Sequence, residues 1–126
     1  MEKEGKEYYK NGKLKFEGEY LNGKRNGKGK EYYENGKLRF KGEYMNGKRN
    51  GKGKEYDNYN GNLLFEGEYL NGQRNGNGKE YNNGKLIFEG EYLNGLRNGK
   101  GKEYDYNTGK IKFEGEYKNG RVKLLY

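Results

Sequence analysis

Glu17 and Glu19, two carboxylates at i and i+2 inside a recurring motif, are residues that could do chemistry, because paired acids can divide the roles of proton donor and acceptor. The pair is not singular. It returns at Glu66/Glu68, Glu89/Glu91 and Glu114/Glu116, and with one change at Lys41/Glu43. Catalysis needs one site with shifted proton affinities, so a copied pair reads instead as a solvated strand face that shares its charge with Lys15, Arg39, Lys41 and Lys112. A second candidate is the row Arg25, Arg49, Arg74 and Arg97, each five residues after a tyrosine, with Arg121 one residue earlier in its own copy. Standing in turns two strands apart, the four would line an edge of about 29 Å. Such an edge could meet lipid phosphates, or simply keep a repetitive sheet soluble.

The absent residue types exclude more than the present ones suggest. The sequence has no His, Cys or Ser and one Thr, Thr108, so neither the usual nucleophile–base triads nor thiolate or imidazole metal sites can be assembled. Two Asp, Asp57 and Asp105, against a net charge of +8 disfavour a calcium site, and no cofactor is expected. With 126 residues of which 29% are hydrophobic, one domain fits and a large core does not. The start Met-Glu-Lys-Glu-Gly-Lys has no apolar stretch and no run of about 18 apolar residues follows, so a cytoplasmic protein is expected, peripheral to a membrane or the cytoskeleton at most.

What positions these residues is a repeat. Phe-Glu-Gly-Glu-Tyr at Phe16 to Tyr20 recurs with its glycine at Gly42, Gly67, Gly90 and Gly115, and differences between neighbours, counted from Gly18, of 24, 25, 23 and 25. Gly-Lys-Glu-Tyr segments ending at Tyr8, Tyr32, Tyr56, Tyr81 and Tyr104 alternate with it. Each motif alternates in polarity, with Leu14, Phe16, Gly18 and Tyr20 on one face and Lys15, Glu17, Glu19 and Leu21 on the other, as a strand does. An inserted residue inside a strand would flip every later side chain, so the varying length belongs in hairpin loops, where Tyr8 meets Leu14, Tyr32 Leu38, Tyr56 Leu63, Tyr81 Leu86 and Tyr104 Ile111. The second connection, around Asn22-Gly23, has a turn signature but no fixed length. The fold expected is all-β: a single-layer, strongly twisted antiparallel meander of about eleven strands without helix. One array fills 1–126, with repeats starting near 16, 40, 65, 88 and 113, an N-terminal half-repeat at 1–13 and a C-terminal cap strand at 122–126.

These residues resemble the MORN repeat (membrane occupation and recognition nexus). Its aromatic-x-Gly-x-aromatic, Asn-Gly-x and Gly-x-Gly pattern is carried by Phe16-Glu17-Gly18-Glu19-Tyr20, Asn22-Gly23 and Gly27-Lys28-Gly29, and again from Phe40, Phe65 and Phe88. The copy from Phe113 stops at Asn119-Gly120. The resemblance implies an elongated, curved, grooved sheet that is not an enzyme and acts as a protein-binding scaffold, a dimerisation module or a phosphoinositide binder.

The leading expectation is a scaffold holding a partner peptide or protein along a curved aromatic groove lined by Phe16, Tyr20, Tyr32, Phe40, Tyr44, Tyr56, Phe65, Tyr69, Tyr81, Phe88, Tyr92 and Tyr104. A groove of that kind would be the exposed part of a stripe that is chiefly core. The rival is an anionic-membrane or phosphoinositide binder using Arg25, Arg49, Arg74, Arg97 and Arg121. An immunity protein against a nuclease toxin and a consensus-designed array are further readings, and no specific nucleic acid is expected as partner. Val122-Lys123-Leu124-Leu125-Tyr126 either folds back as a cap hiding Leu124 and Leu125, the favoured expectation, or pairs with a second copy to give a homodimer.

Overall fold

The computed structural model describes residues 2–124. Its regular structure is strand throughout: β1 (Glu2–Tyr8), β2 (Leu14–Leu21), β3 (Lys24–Tyr32), β4 (Leu38–Met45), β5 (Lys48–Tyr56), β6 (Leu63–Leu70), β7 (Gln73–Asn82), β8 (Lys85–Leu93), β9 (Leu96–Tyr104), β10 (Ile111–Lys118) and β11 (Arg121–Val122). They lie in chain order in one antiparallel sheet, the expected meander. The Tyr–aliphatic pairings Tyr8↔Leu14, Tyr32↔Leu38, Tyr56↔Leu63, Tyr81↔Leu86 and Tyr104↔Ile111 all occur, so the length variation falls in the loops. The other connection is a two-residue turn. Asn22 and Gly23 have φ of 51° and 79°, the positive values a type I′ hairpin requires at both central positions.

Two bulges per repeat, which strict alternation cannot reveal, decide what each face carries. In β2, Tyr8↔Leu14 is followed by Glu7↔Phe16, leaving Lys15 without a cross-strand partner. Lys15 is thereby turned onto the aromatic face, its ammonium 5.7 Å from the Tyr9 ring, and Arg39 lies likewise 5.5 Å from Tyr33. The expectation that Lys15, Arg39 and Lys112 share the Glu17 face is corrected by this register shift, which recurs at Lys112 between Ile111 and Phe113, whereas Lys41 keeps its place on that face. At the other end of the hairpin, three residues, Asn26, Gly27 and Lys28, stand opposite the single Glu19, between Gly18↔Gly29 and Tyr20↔Arg25. Gly27 adopts φ 101° there, and the Glu19 carboxylate accepts the Lys28 N–H at 2.6 Å.

The core is one aromatic ladder on one face of the sheet. Phe16, Phe40, Phe65 and Phe88 are wholly buried, and Tyr44, Tyr69, Tyr92 and Tyr117 nearly so. Each Phe ring meets two tyrosines edge-on, as Phe40 does with Tyr44 at 5.6 Å and Tyr69 at 5.2 Å. Such pairs contribute about 0.5–1.5 kcal/mol beyond area burial. The ring tips rest on backbone that has no side chain: a Cβ at Gly29 would stand 2.5 Å from Phe16 Cζ. A single layer can therefore bury phenylalanines without a second sheet.

At the C-terminal end β11 continues the meander, pairing Tyr117↔Val122 and Lys118↔Arg121. The expected cap does not form over Leu124, which is 66% exposed. Leu125 and Tyr126 lie outside the described residues.

Candidate functional site: a glycine-floored trough

The ladder is roofed by a repeated three-residue cluster assembled from three consecutive strands. Glu31 on β3 accepts the Tyr44 hydroxyl of β4 at 2.6 Å and takes Arg49 of β5 on both oxygens, at 2.9 and 3.2 Å. The Arg49 guanidinium lies 4.1 Å from the Phe40 ring centre, which closes the stack. Glu7–Tyr20–Arg25, Glu55–Tyr69–Arg74 and Glu80–Tyr92–Arg97 repeat the arrangement. In the last set Tyr117 bonds Glu103, but Val122 stands opposite Tyr117 where Arg97 stands opposite Tyr92, so no arginine completes it. Burial pushes the Glu31 carboxyl up, but Arg49 and Tyr44 outweigh it and hold it below the ordinary carboxylate range. Burial, then the Glu31 acceptor, drives the Tyr44 hydroxyl well up. Burial and the bond to Glu7 raise Tyr20 to about 12.

The arginines are therefore not turn residues. The two-residue turn places Arg25, Arg49, Arg74 and Arg97 inside β3, β5, β7 and β9, where each is bonded to a glutamate and half-buried on a phenylalanine. Arg121 alone among the five is exposed.

The concavity lies on the opposite face. A trough of about 2330 Å³ runs across β1 to β10, each strand giving a central glycine and the residue on either side of it, all of them charged except Asn77. The glycines Gly5, Gly18, Gly29, Gly42, Gly53, Gly67, Gly78, Gly90, Gly101 and Gly115 pair in register from strand to strand, making a backbone floor. One wall reads Lys6, Glu17, Lys30, Lys41, Lys54, Glu66, Lys79, Glu89, Lys102, Glu114, every neighbour a cross-strand pair. Opposite charges alternate along it except through Lys30, Lys41 and Lys54. The other wall holds Glu19, Glu43, Glu68 and Glu91, each accepting a backbone N–H of the next strand. Beyond that wall, two residues further along the same strands, Met45, Leu70 and Leu93 are about half exposed. Beyond the first wall, Tyr32, Tyr81 and Tyr104 donate to Glu17, Glu66 and Glu89. Burial and the glutamate acceptor raise Tyr32 and Tyr81 to about 12, and for Tyr104 the bond to Glu89 leads. Tyr56 lacks this bond because β4 offers Lys41 at the corresponding place.

The expected groove residues thus divide between faces. Phe16, Phe40, Phe65 and Phe88, with Tyr20, Tyr44, Tyr69 and Tyr92, belong to the core opposite the trough, because a glycine floor leaves their rings room only on their own side. Only Tyr32, Tyr56, Tyr81 and Tyr104 reach the trough's margin. From the sequence the glutamate pairs of the walls read as a solvated strand face, and the walls not as a site, although their signal is there: a polar residue, charged except at Asn77, before and after each glycine of the ladder. The glutamate of the Arg cluster was also missed, although its separation from the arginine recurs at 18, 18, 19 and 17 residues.

No curated protein matches the chain. The MORN repeat matches at residues 16–37, 40–61, 65–85 and 88–110, and a MORN repeat variant matches at residues 1–22, where the sequence suggests a half-repeat. Repeats of this type are non-catalytic and commonly form binding scaffolds. Matched over well more than half its length, and built as a meander of the corresponding hairpins, the chain belongs to the MORN repeat family.

Proposed function

We propose that the chain is a non-catalytic scaffold that holds an extended segment of a partner protein in the trough. The observation that carries this reading is the shape of the trough. It crosses nine strand spacings of about 4.8 Å, so its glycine floor is about 43 Å long, the reach of about 12–13 residues of extended chain at ~3.4 Å each. Polar walls with a half-exposed aliphatic rim at Met45, Leu70 and Leu93 supply both hydrogen-bonding and apolar contact to such a segment.

Selection of displayed peptides on the immobilised protein tests this. Selected peptides should lose binding to Lys54→Trp and Glu68→Trp, which fill the trough from exposed wall positions, and keep it on Lys15→Trp, on the other face. Peptides indifferent to both trough variants would refute the reading.

A further inference from the structure

Resting on that reading, we infer that the wall run Lys30–Lys41–Lys54 is an anion site which takes acidic side chains of the bound segment. Along this wall every charge except Lys41 has at least one opposite charge as cross-strand neighbour, the arrangement that stabilises a sheet, and Lys30 and Lys54 have theirs on their outer sides, in Glu17 and Glu66. Within the run Lys30 pairs Lys41 and Lys41 pairs Lys54, so three ammonium groups stand in a row on adjacent strands. Like charges directly opposite destabilise a sheet. Among the described residues none of the three forms an ion pair. Glu43, on the facing wall of the same strand as Lys41, accepts the backbone N–H of Lys52 at 2.7 Å and has Lys28 as its cross-strand neighbour.

One residue creates the run. A carboxylate at position 41 would restore unbroken alternation from Lys6 to Glu114 and would give the Tyr56 hydroxyl the acceptor that Tyr32, Tyr81 and Tyr104 have. The lysine forgoes both, and what it supplies instead is a positive charge with a lysine on either side and no carboxylate as cross-strand neighbour, standing on the wall of a concave trough. The run spans two strand spacings, about 9.6 Å, while alternate side chains of an extended peptide lie ~6.7 Å apart on one face. Two carboxylates spaced Glu-x-Glu therefore fall within reach of the three ammoniums. The partner is accordingly an extended protein segment with two acidic residues at alternate positions, and neutral residues between.

The test is fluorescence anisotropy on the full chain with two labelled twelve-residue peptides, identical and uncharged except for Glu-Thr-Glu or Gln-Thr-Gln at the centre. The acidic peptide should bind at least tenfold tighter in low salt, and the margin should shrink in 0.5 M salt, where the screening length is down to a few ångströms. On Lys41→Glu the margin should vanish, while the melting temperature stays at or above that of the unaltered chain. Equal affinity for both peptides, or an unchanged margin on Lys41→Glu, would overturn the anion site and leave the trough reading standing. Tight binding of either peptide that persists on Lys54→Trp would place it outside the trough and overturn both, as would no binding of either at millimolar concentration.

Discussion

Gly78→Ala separates the two faces of the sheet by the sign of its effect. If the missing Cβ pointed into the trough, alanine would meet open space and stabilise the chain by about 0.4–1 kcal/mol through the unfolded state. The structure instead points it at the core: a Cβ there would lie 2.5 and 2.6 Å from Phe65 Cζ and Cε1 and 2.9 Å from Tyr92 Cε1. Ordinary contact begins near 3.4 Å, so Phe65 must retreat by about an ångström. It cannot do so freely, being wholly buried, edge-on to Tyr69 at 5.7 Å and Tyr92 at 5.2 Å, and covered by Arg74 at 4.1 Å. Overpacking of this kind costs about 1–3 kcal/mol, which less the unfolded-state gain leaves a net loss of about 1–2 kcal/mol. With an unfolding entropy of about 0.26 kcal/mol/K for a chain of this length, the melting temperature should fall by about 4–8 °C. Gly115→Ala, where the nearest ring is the half-buried and arginine-free Phe113, should cost less. Thermal unfolding by circular dichroism decides it. A melting temperature equal to or above that of the unaltered chain for Gly78→Ala would refute the assignment of faces.

Arg49→Ala should cost about 2–3 kcal/mol, since it strands the Glu31 carboxylate and uncovers Phe40, whereas Lys48→Ala, beside it and exposed, should change stability by under ~0.5 kcal/mol; urea titration of both compares them. Glu31, Glu55 and Glu80 have lowered folded-state pKa values, so their contribution is full above the ordinary glutamate value of about 4.3 and is lost as pH falls through the folded values, and melting temperature should drop below pH ~4. Tyr20, Tyr32 and Tyr81, raised to about 12, contribute fully below pH ~10 and lose that contribution as pH climbs toward 12, which a melting series at alkaline pH and phenolate absorbance would record together. Deleting residues 42–66 removes one full period and should leave a folded nine-stranded sheet by circular dichroism, as expected where each unit touches only its neighbours; a wholly unfolded product would contradict it.

Much of this architecture was legible because Asn-Gly, the five Tyr–aliphatic pairs and the glycine period each constrain the chain locally. Tyr8 can meet Leu14 only across a short loop, and Asn22-Gly23 tolerates the φ values that few other pairs accept. The groove was misplaced because the glycine floor leaves the aromatic rings room only on their own side, and the cation row because the turn at Asn22-Gly23 is only two residues long and so puts Arg25 inside β3. Alternation assigns faces only while the strand stays regular, and the extra residues at Lys15 and at Asn26 to Lys28 turn Lys15 onto the aromatic face and let the Glu19 carboxylate hold the Lys28 N–H. The Glu31–Tyr44–Arg49 cluster was hidden because its members come from three strands, so their contact depends on register rather than on any local spacing.

The most direct test of the central claim, that the trough binds and the aromatic face only holds the sheet together, is a set of ¹H–¹⁵N correlation spectra recorded while a trough-selected peptide is added. The account predicts shifts at the backbone amides of the wall and floor, around Lys30, Gly42, Lys54 and Gly67, with the Nε–H signals of Arg25, Arg49, Arg74 and Arg97 unmoved. Shifts concentrated on those four Nε–H signals and on the turns, with the floor glycines silent, would contradict it.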